Sequence, residues 1–176
     1  MVISEPEFRR QAVLRAAEDM ALAARTAPKA RGIDLLEILV VSGDEIPRLS
    51  AMMKKIGERE NHQTFLRDAE NIKSAVAIIL IGTKKQTIGL KYCSYCGRTN
   101  CAEAEKDNVI CAYNTGDLGI AVGSAVSLAS DKRIDCRIMY SVGKAAMEGG
   151  LLPQGLAVAY GIPLSVSGKN PFFDRK

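Results

Sequence analysis

One histidine in 176 residues leaves little room for catalysis that depends on imidazole. A Ser–His–Asp triad needs its histidine between a serine and a carboxylate. His62 stands instead in the polar stretch Asn61-His62-Gln63 and reads as a solvated loop residue without a partner. The same scarcity argues against a metal-histidine enzyme. Long apolar runs are missing too: the longest, Ala75 to Ile81, has seven residues, where a membrane helix needs about 20. The sequence predicts no membrane span and shows no secretory signal. Charge of one sign is scarce as well, since 24 Lys and Arg against 20 Asp and Glu leave a net +4. The basic pairs Lys54-Lys55, Lys84-Lys85 and Lys132-Arg133 are separate and carry no interleaved aromatics, which argues against nucleic acid as a partner. Five cysteines, an odd number with no secretory signal, argue against a disulfide framework and predict reduced thiols in a cytoplasm. Those thiols are then ligands, nucleophiles or core.

What is present is a globular composition, 47% hydrophobic and 25% charged, at a length suited to one domain over residues 1–176. Ser4 and Glu7 fit a capping box ahead of helical spacing at Val13, Ala17, Met20, Ala21 and Ala24, so a first helix is expected from Glu5 to Ala27. Leu35 to Val41 reads as a buried strand, and Asp44 to Glu60 as an amphipathic helix whose methionines fill core. A shorter helix over Phe65 to Ile72 leads to a second buried strand, Ala75 to Ile81. After the cysteine-rich stretch, Leu118 to Ala129 reads as a nearly uncharged helix. Its Gly119, Gly123 and Ser124 let a backbone or a flat ligand approach closely. A strand over Asp135 to Ser141, a helix over Val142 to Gly150 and a last strand over Leu156 to Tyr160 complete the pattern. It predicts an α+β domain with helices packed on a central mixed sheet and with residues 88–113 as a cysteine-rich insertion.

Inside that insertion Cys93, Cys96, Cys101 and Cys111 form C-x2-C-x4-C-x9-C. Two intervening residues let Cys93 and Cys96 turn toward one point, and Gly97, Asn100 and Asn108 permit tight loops that return the other two. Four thiolates around one point need a cation, so an iron–sulfur cluster or Zn2+ is implied. Zinc sites usually present two C-x2-C knuckles; only one exists here, which favours the cluster. Cysteines that are merely buried or redox-active are the third reading. Cys136 lies in a predicted strand and reads as core.

The segment Tyr92 to Glu103 (YCSYCGRTNCAE) is similar to four-iron four-sulfur modules that begin Cys-x-x-Cys-Gly, with a third cysteine four residues later. Together with Gly155 to Ser165 and Gly168 to Arg175, the chain resembles a family of uncharacterised ferredoxin-domain-containing proteins of anaerobic bacteria and archaea. The resemblance implies a [4Fe-4S] cluster on Cys93, Cys96, Cys101 and Cys111 and leaves the physiological role unknown; electron transfer by that cluster to an unidentified redox partner is the leading expectation. A second resemblance, carried by Ala24 to Ala30, Leu36 to Val41 and Tyr160 to Pro163, is to the nitroreductase fold, whose members are flavin-binding homodimers. It implies a dimer built around the Leu118 to Ala129 helix and an FMN against Gly119 and Gly123. The basic motif that grips the flavin phosphate in nitroreductases has no match upstream of the Ala-Pro landmark, because Arg9 and Arg10 fall inside the first helix. Lys29, Arg31, Lys169 and Arg175 are the phosphate contacts that remain.

Overall fold

A computed structural model describes residues 2–173. The first helix, α1 (Glu5–Thr26), starts after an extended Ser4, with a proline and the acids Glu5 and Glu7 in its first turn. Proline suits that turn because its missing N–H is not needed there, and the acids complement the helix dipole. Ser4 and Glu7 do not form a capping box: the Ser4 hydroxyl donates to the Glu7 carboxylate at 3.5 Å, and the Ser4 side chain accepts no first-turn N–H. Two successive left-handed residues, Arg31 (φ 57°) and Gly32 (φ 68°), turn the chain toward the strand β1 (Leu36–Ser42). The helices α2 (Glu45–Arg59) and α3 (Gln63–Asn71) then lead to β2 (Ala77–Lys84). Beyond the cysteine-rich stretch come α4 (Cys101–Lys106), α5 (Ala112–Asp131), β3 (Asp135–Cys136), α6 (Tyr140–Glu148) and β4 (Leu156–Ser165).

The sheet has the order β1-β2-β4-β3 and every pairing is antiparallel, so the expectation of a mixed sheet is corrected. The reason lies in the connections. Ser42 pairs with Ala77, so the α2–α3 hairpin leaves and re-enters at the same end of the sheet. Lys84 pairs with Leu156 and the Lys85 N–H donates to the Gly155 carbonyl, so the whole excursion from 85 to 155 returns beside its starting point.

Residues Ala77 to Ile81 of β2 are buried on both faces, which is why its sequence is a continuous apolar run instead of an alternation. Ala77, Ile79 and Ile81 pack with Met20, Leu118, Ala121 and Ala125 of α1 and α5. Ile78 and Leu80 pack with Leu49, Met53, Phe65 and Val142 of α2, α3 and α6. The expected strand over Asp135 to Ser141 shrinks to two residues plus an isolated bridge between Met139 and Gly161. Between those pairings Arg137 turns away to donate to the Phe172 carbonyl at 2.8 Å. Pro163, lacking an N–H, falls in that gap on the outer side of β4, where no ladder bond is lost. Over β4 itself α6 comes unusually close. A Cβ on Gly143 would stand 2.6 Å from the Tyr160 nitrogen, and one on Gly161 would stand 2.6 Å from Val142 Cβ.

Candidate metal centre

Between Lys84 and Cys101 the chain forms no helix or strand, and its shape comes from single residues. Ser94 (φ 62°) and Gly97 (φ 77°) are left-handed, and the Gly97 N–H closes a turn onto the Ser94 carbonyl at 3.0 Å. The Ser94 hydroxyl donates across this turn to the Thr99 carbonyl at 3.2 Å. Asn100 is extended, not turned, and caps α4: its side-chain oxygen accepts the Glu103 N–H at 3.0 Å, while the Glu103 carboxylate accepts from Thr99 N–H at 3.1 Å. Asn108 (φ 55°) turns the chain out of α4 toward Cys111. The start of the segment is tied to the fold twice. Arg31 Nη1 donates to the Ile88 and Gly89 carbonyls at 2.8 and 3.0 Å, and the buried Asn114 amide donates to the Lys84 and Gln86 carbonyls.

Cys93, Cys96, Cys101 and Cys111 all line one cavity of about 20 Å3. Arg98 is its one charged lining residue; no aspartate, glutamate or histidine joins it. Cys111 is buried and the other three are half-buried, and none is in a disulfide. The Cys101 thiol rests 3.8 Å from the Leu90 carbonyl, as its donor. Among the described residues no three His, Cys, Asp or Glu side chains are gathered closely enough to hold a single ion. Cys111 is the N-cap residue of the 20-residue α5. The first-turn N–H groups of a helix have no acceptor within it and form its positive end. A set of four soft thiol donors with no carboxylate among them suits iron–sulfur or zinc and does not suit calcium or magnesium. In donor chemistry the residues present fit the expected group. Cys136 lies apart, packed against the core under α1 and α5. Burial, and then the charge of Asp135, pushes its thiol above the ordinary range.

A second cavity, of about 410 Å3 and mostly apolar, adjoins the first, with Ala112 and Tyr113 lining both. Tyr113 stacks on Tyr95 with ring centroids 5.9 Å apart, and Lys29, Gly116, Asp117 and Ile120 complete the wall. Of the residues expected to hold a flavin, Lys29 alone lines this cavity. Its ammonium donates to the Ala24, Arg25 and Ala27 carbonyls at 2.9, 2.5 and 2.7 Å, and burial pushes its pKa down. Arg31 is engaged with the 88–89 backbone. Gly119 and Gly123 lie on the exposed side of α5 with open space where a Cβ would be. Lys169 is exposed in the segment after β4, and Arg175 lies outside the described residues.

Tyr92 and Tyr95 flank Cys93 in the sequence and are the tyrosines expected to shield the cysteines. Tyr92 is 94% exposed and shields nothing; Tyr113, not expected there, is the tyrosine at the cavity wall. Also unexpected is Asp117, a buried carboxylate in a nearly uncharged helix. Asp117 accepts the Ala30 N–H at 2.9 Å and so holds the Ala-Pro turn against α5. An acid in so apolar a helix was the available signal. His62 is not isolated either, since its Nε2 lies 3.2 Å from the Tyr140 hydroxyl.

Residues 107–175 match a family described as "Uncharacterized protein containing a ferredoxin domain"; the matched stretch holds Cys111 and leaves the other three cysteines of the cavity outside it. Across its whole length the chain is similar to an uncharacterized protein of Archaeoglobus fulgidus: 41% identity over 184 residues, covering 99% of this chain and 98% of the relative. Among solved structures it is similar to a nitroreductase with bound FMN from Desulfitobacterium hafniense, with a TM-score of 0.61 at 15% identity over 88% of this chain and 78% of that one. A protein of Clostridium acetobutylicum described as a putative NADH oxidase gives a TM-score of 0.56 at 17% identity, over 92% and 82% of the two chains. At these identities the likeness shows the fold, which is nitroreductase-like.

Proposed function

The chain belongs to the family of uncharacterized proteins containing a ferredoxin domain, and from that membership we propose that it is an electron carrier with a [4Fe-4S] cluster held by Cys93, Cys96, Cys101 and Cys111. One observation carries the reading: four cysteines line one small cavity that no carboxylate or imidazole lines. When bound, such a cluster supplies reversible one-electron chemistry. The chain's own contribution is to hold and shield it. Cys93 precedes the Ser94–Gly97 turn and Cys96 sits within it, Cys101 opens α4, and Cys111 places the positive end of α5 against the site. Tyr113 closes one side against water, and hydrogen-bond donors and exposure around the sulfurs tune a potential. On this reading residues 88–113 are a cluster-binding insertion in one α/β domain. Thiol ligation of this kind belongs in a reducing cytoplasm.

A second reading, a flavin-dependent reductase working as a homodimer, is favoured by the 410 Å3 cavity that shares the Tyr113 wall with the thiols. Lys29 lines that cavity, and the bare face of α5 at Gly116, Gly119 and Gly123 offers a surface on which a second copy could close it. Zn2+ stapling the segment is the third.

Stepwise reduction of anaerobically purified protein by dithionite, followed by visible absorption and electron paramagnetic resonance, separates these. The carrier reading expects bleaching of a brown chromophore by about one electron per chain, lost in Cys111→Ser. A flavin spectrum taking up two electrons would replace it with the reductase, and a colourless protein that accepts no electrons would leave only the zinc staple.

A further inference from the structure

On the other face of the sheet, among α2, α3, α6 and the first residues of β4, lies a cavity of about 400 Å3 that the thiol site does not use. Ile56, Phe65, Met147, Ala157 and Ala159 give it apolar walls. At its rim three rings meet edge to face: His62 to Phe65 at 5.4 Å, Phe65 to Tyr140 at 5.7 Å, and His62 to Tyr140 at 6.5 Å between centroids. The Tyr140 hydroxyl and His62 Nε2 share a hydrogen bond of 3.2 Å, so either the hydroxyl oxygen or its proton faces a guest.

The charged groups around this cavity are not equivalent. Arg59 is bound to both acids, to Glu60 at 2.7 Å and to Glu148 at 2.6 Å, so neither Arg59 nor those two carboxylates is free to choose a ligand. Lys144, one turn before Glu148 on α6 and exposed, forms no ion pair or side-chain hydrogen bond among the described residues, although its charge helps hold the Glu148 carboxyl below its ordinary range. An apolar cavity with edge-on rings at its rim accepts an aromatic ring by stacking and T-shaped contact, and one ammonium held in no close ion pair at its mouth selects a single negative charge. We propose that this cavity is a binding site for a small aromatic carboxylate, its ring between Phe65, Tyr140 and Met147 and its carboxylate on Lys144.

The lone histidine makes the site directly observable, because the protein has one imidazole signal. The probe is 2-naphthoate, titrated at constant pH into the anaerobically purified protein while the His62 ring resonances are followed by NMR. The expected result is a saturable shift, with affinity weakened about tenfold in Lys144→Met, an exposed position whose folding is checked by circular dichroism. Tyr140→Phe, which keeps the ring and removes the hydroxyl, should weaken binding less. Absence of a saturable shift would overturn the proposal. Equal affinity for 2-naphthylmethanol or 2-naphthylmethylamine, or unchanged affinity in Lys144→Met, would overturn it as well. None of these readouts depends on the metal content of the thiol cavity.

Discussion

Replacing Gly143 with alanine sets two well-measured effects against each other. In a helix interior alanine is favoured over glycine by about 1 kcal/mol, so propensity alone predicts that Gly143→Ala stabilises α6. The packing predicts the reverse. The new Cβ would stand 2.6 Å from the Tyr160 nitrogen and closer still to the Ala159 carbonyl carbon and oxygen, where ordinary contacts fall at 3.4–4 Å. These neighbours are backbone atoms of β4, which pairs with β2 continuously from Val158 to Leu164 and cannot swing aside like a side chain. α6 must therefore withdraw by roughly an ångström. That movement loosens the Met139–Gly161 bridge and the 2.6 Å hydrogen bond from the Ser141 hydroxyl to buried Asp68. Overpacking of this kind costs about 3 kcal/mol at the upper end of its usual range, leaving a net loss of about 2 kcal/mol. For a domain of this size the melting temperature should fall by roughly 4–8 °C. Urea or thermal unfolding read by circular dichroism measures it. Equal or greater stability of Gly143→Ala would refute the close packing of α6 on β4.

Other perturbations follow from the same structure. Gly119→Ala meets open space on the outer side of α5 and should gain about 1 kcal/mol from propensity; a loss in the same unfolding assay would contradict a free face there. Asp68 is buried and accepts from Arg67 and Ser141, with Arg137 3.7 Å away. Asp68→Ala strands these donors and should cost about 3 kcal/mol in urea unfolding; a loss below about 1 kcal/mol would show that the network contributes little. Cys136 has its pKa raised by burial above the ordinary 9.0, so at pH 8 it should react with iodoacetamide more slowly than a free thiol. Because the folded state disfavours its thiolate, stability is unaffected below the ordinary pKa and falls as pH rises through the shifted one. A fall of the same size in Cys136→Ser would assign the effect to another group.

The parts of the fold written in local pattern were legible in advance. β2 announced itself as an apolar run because helices cover both its faces, and α2 through its three-and-four spacing of Ile46, Leu49, Met53 and Ile56. The short spacings of the four cysteines foreshadow the one cavity that all four line. What escaped depends on partners far along the chain. β3 shrank because Arg137 reaches Phe172, and α5 began earlier than expected because Asn114 finds its partners at Lys84 and Gln86. Nothing in the neighbours of His62 points to Tyr140, 78 residues away. The Tyr113 wall was hidden for the same reason: its stack on Tyr95 exists only after the loop has folded back.

The central claim is that Cys93, Cys96, Cys101 and Cys111 hold an iron–sulfur cluster, and iron, sulfide and zinc analysis of protein purified without oxygen tests it most directly. About four irons and four sulfides per chain are expected. About one zinc per chain with no iron, under the same oxygen-free conditions, would contradict the account and make the cysteine segment a structural staple.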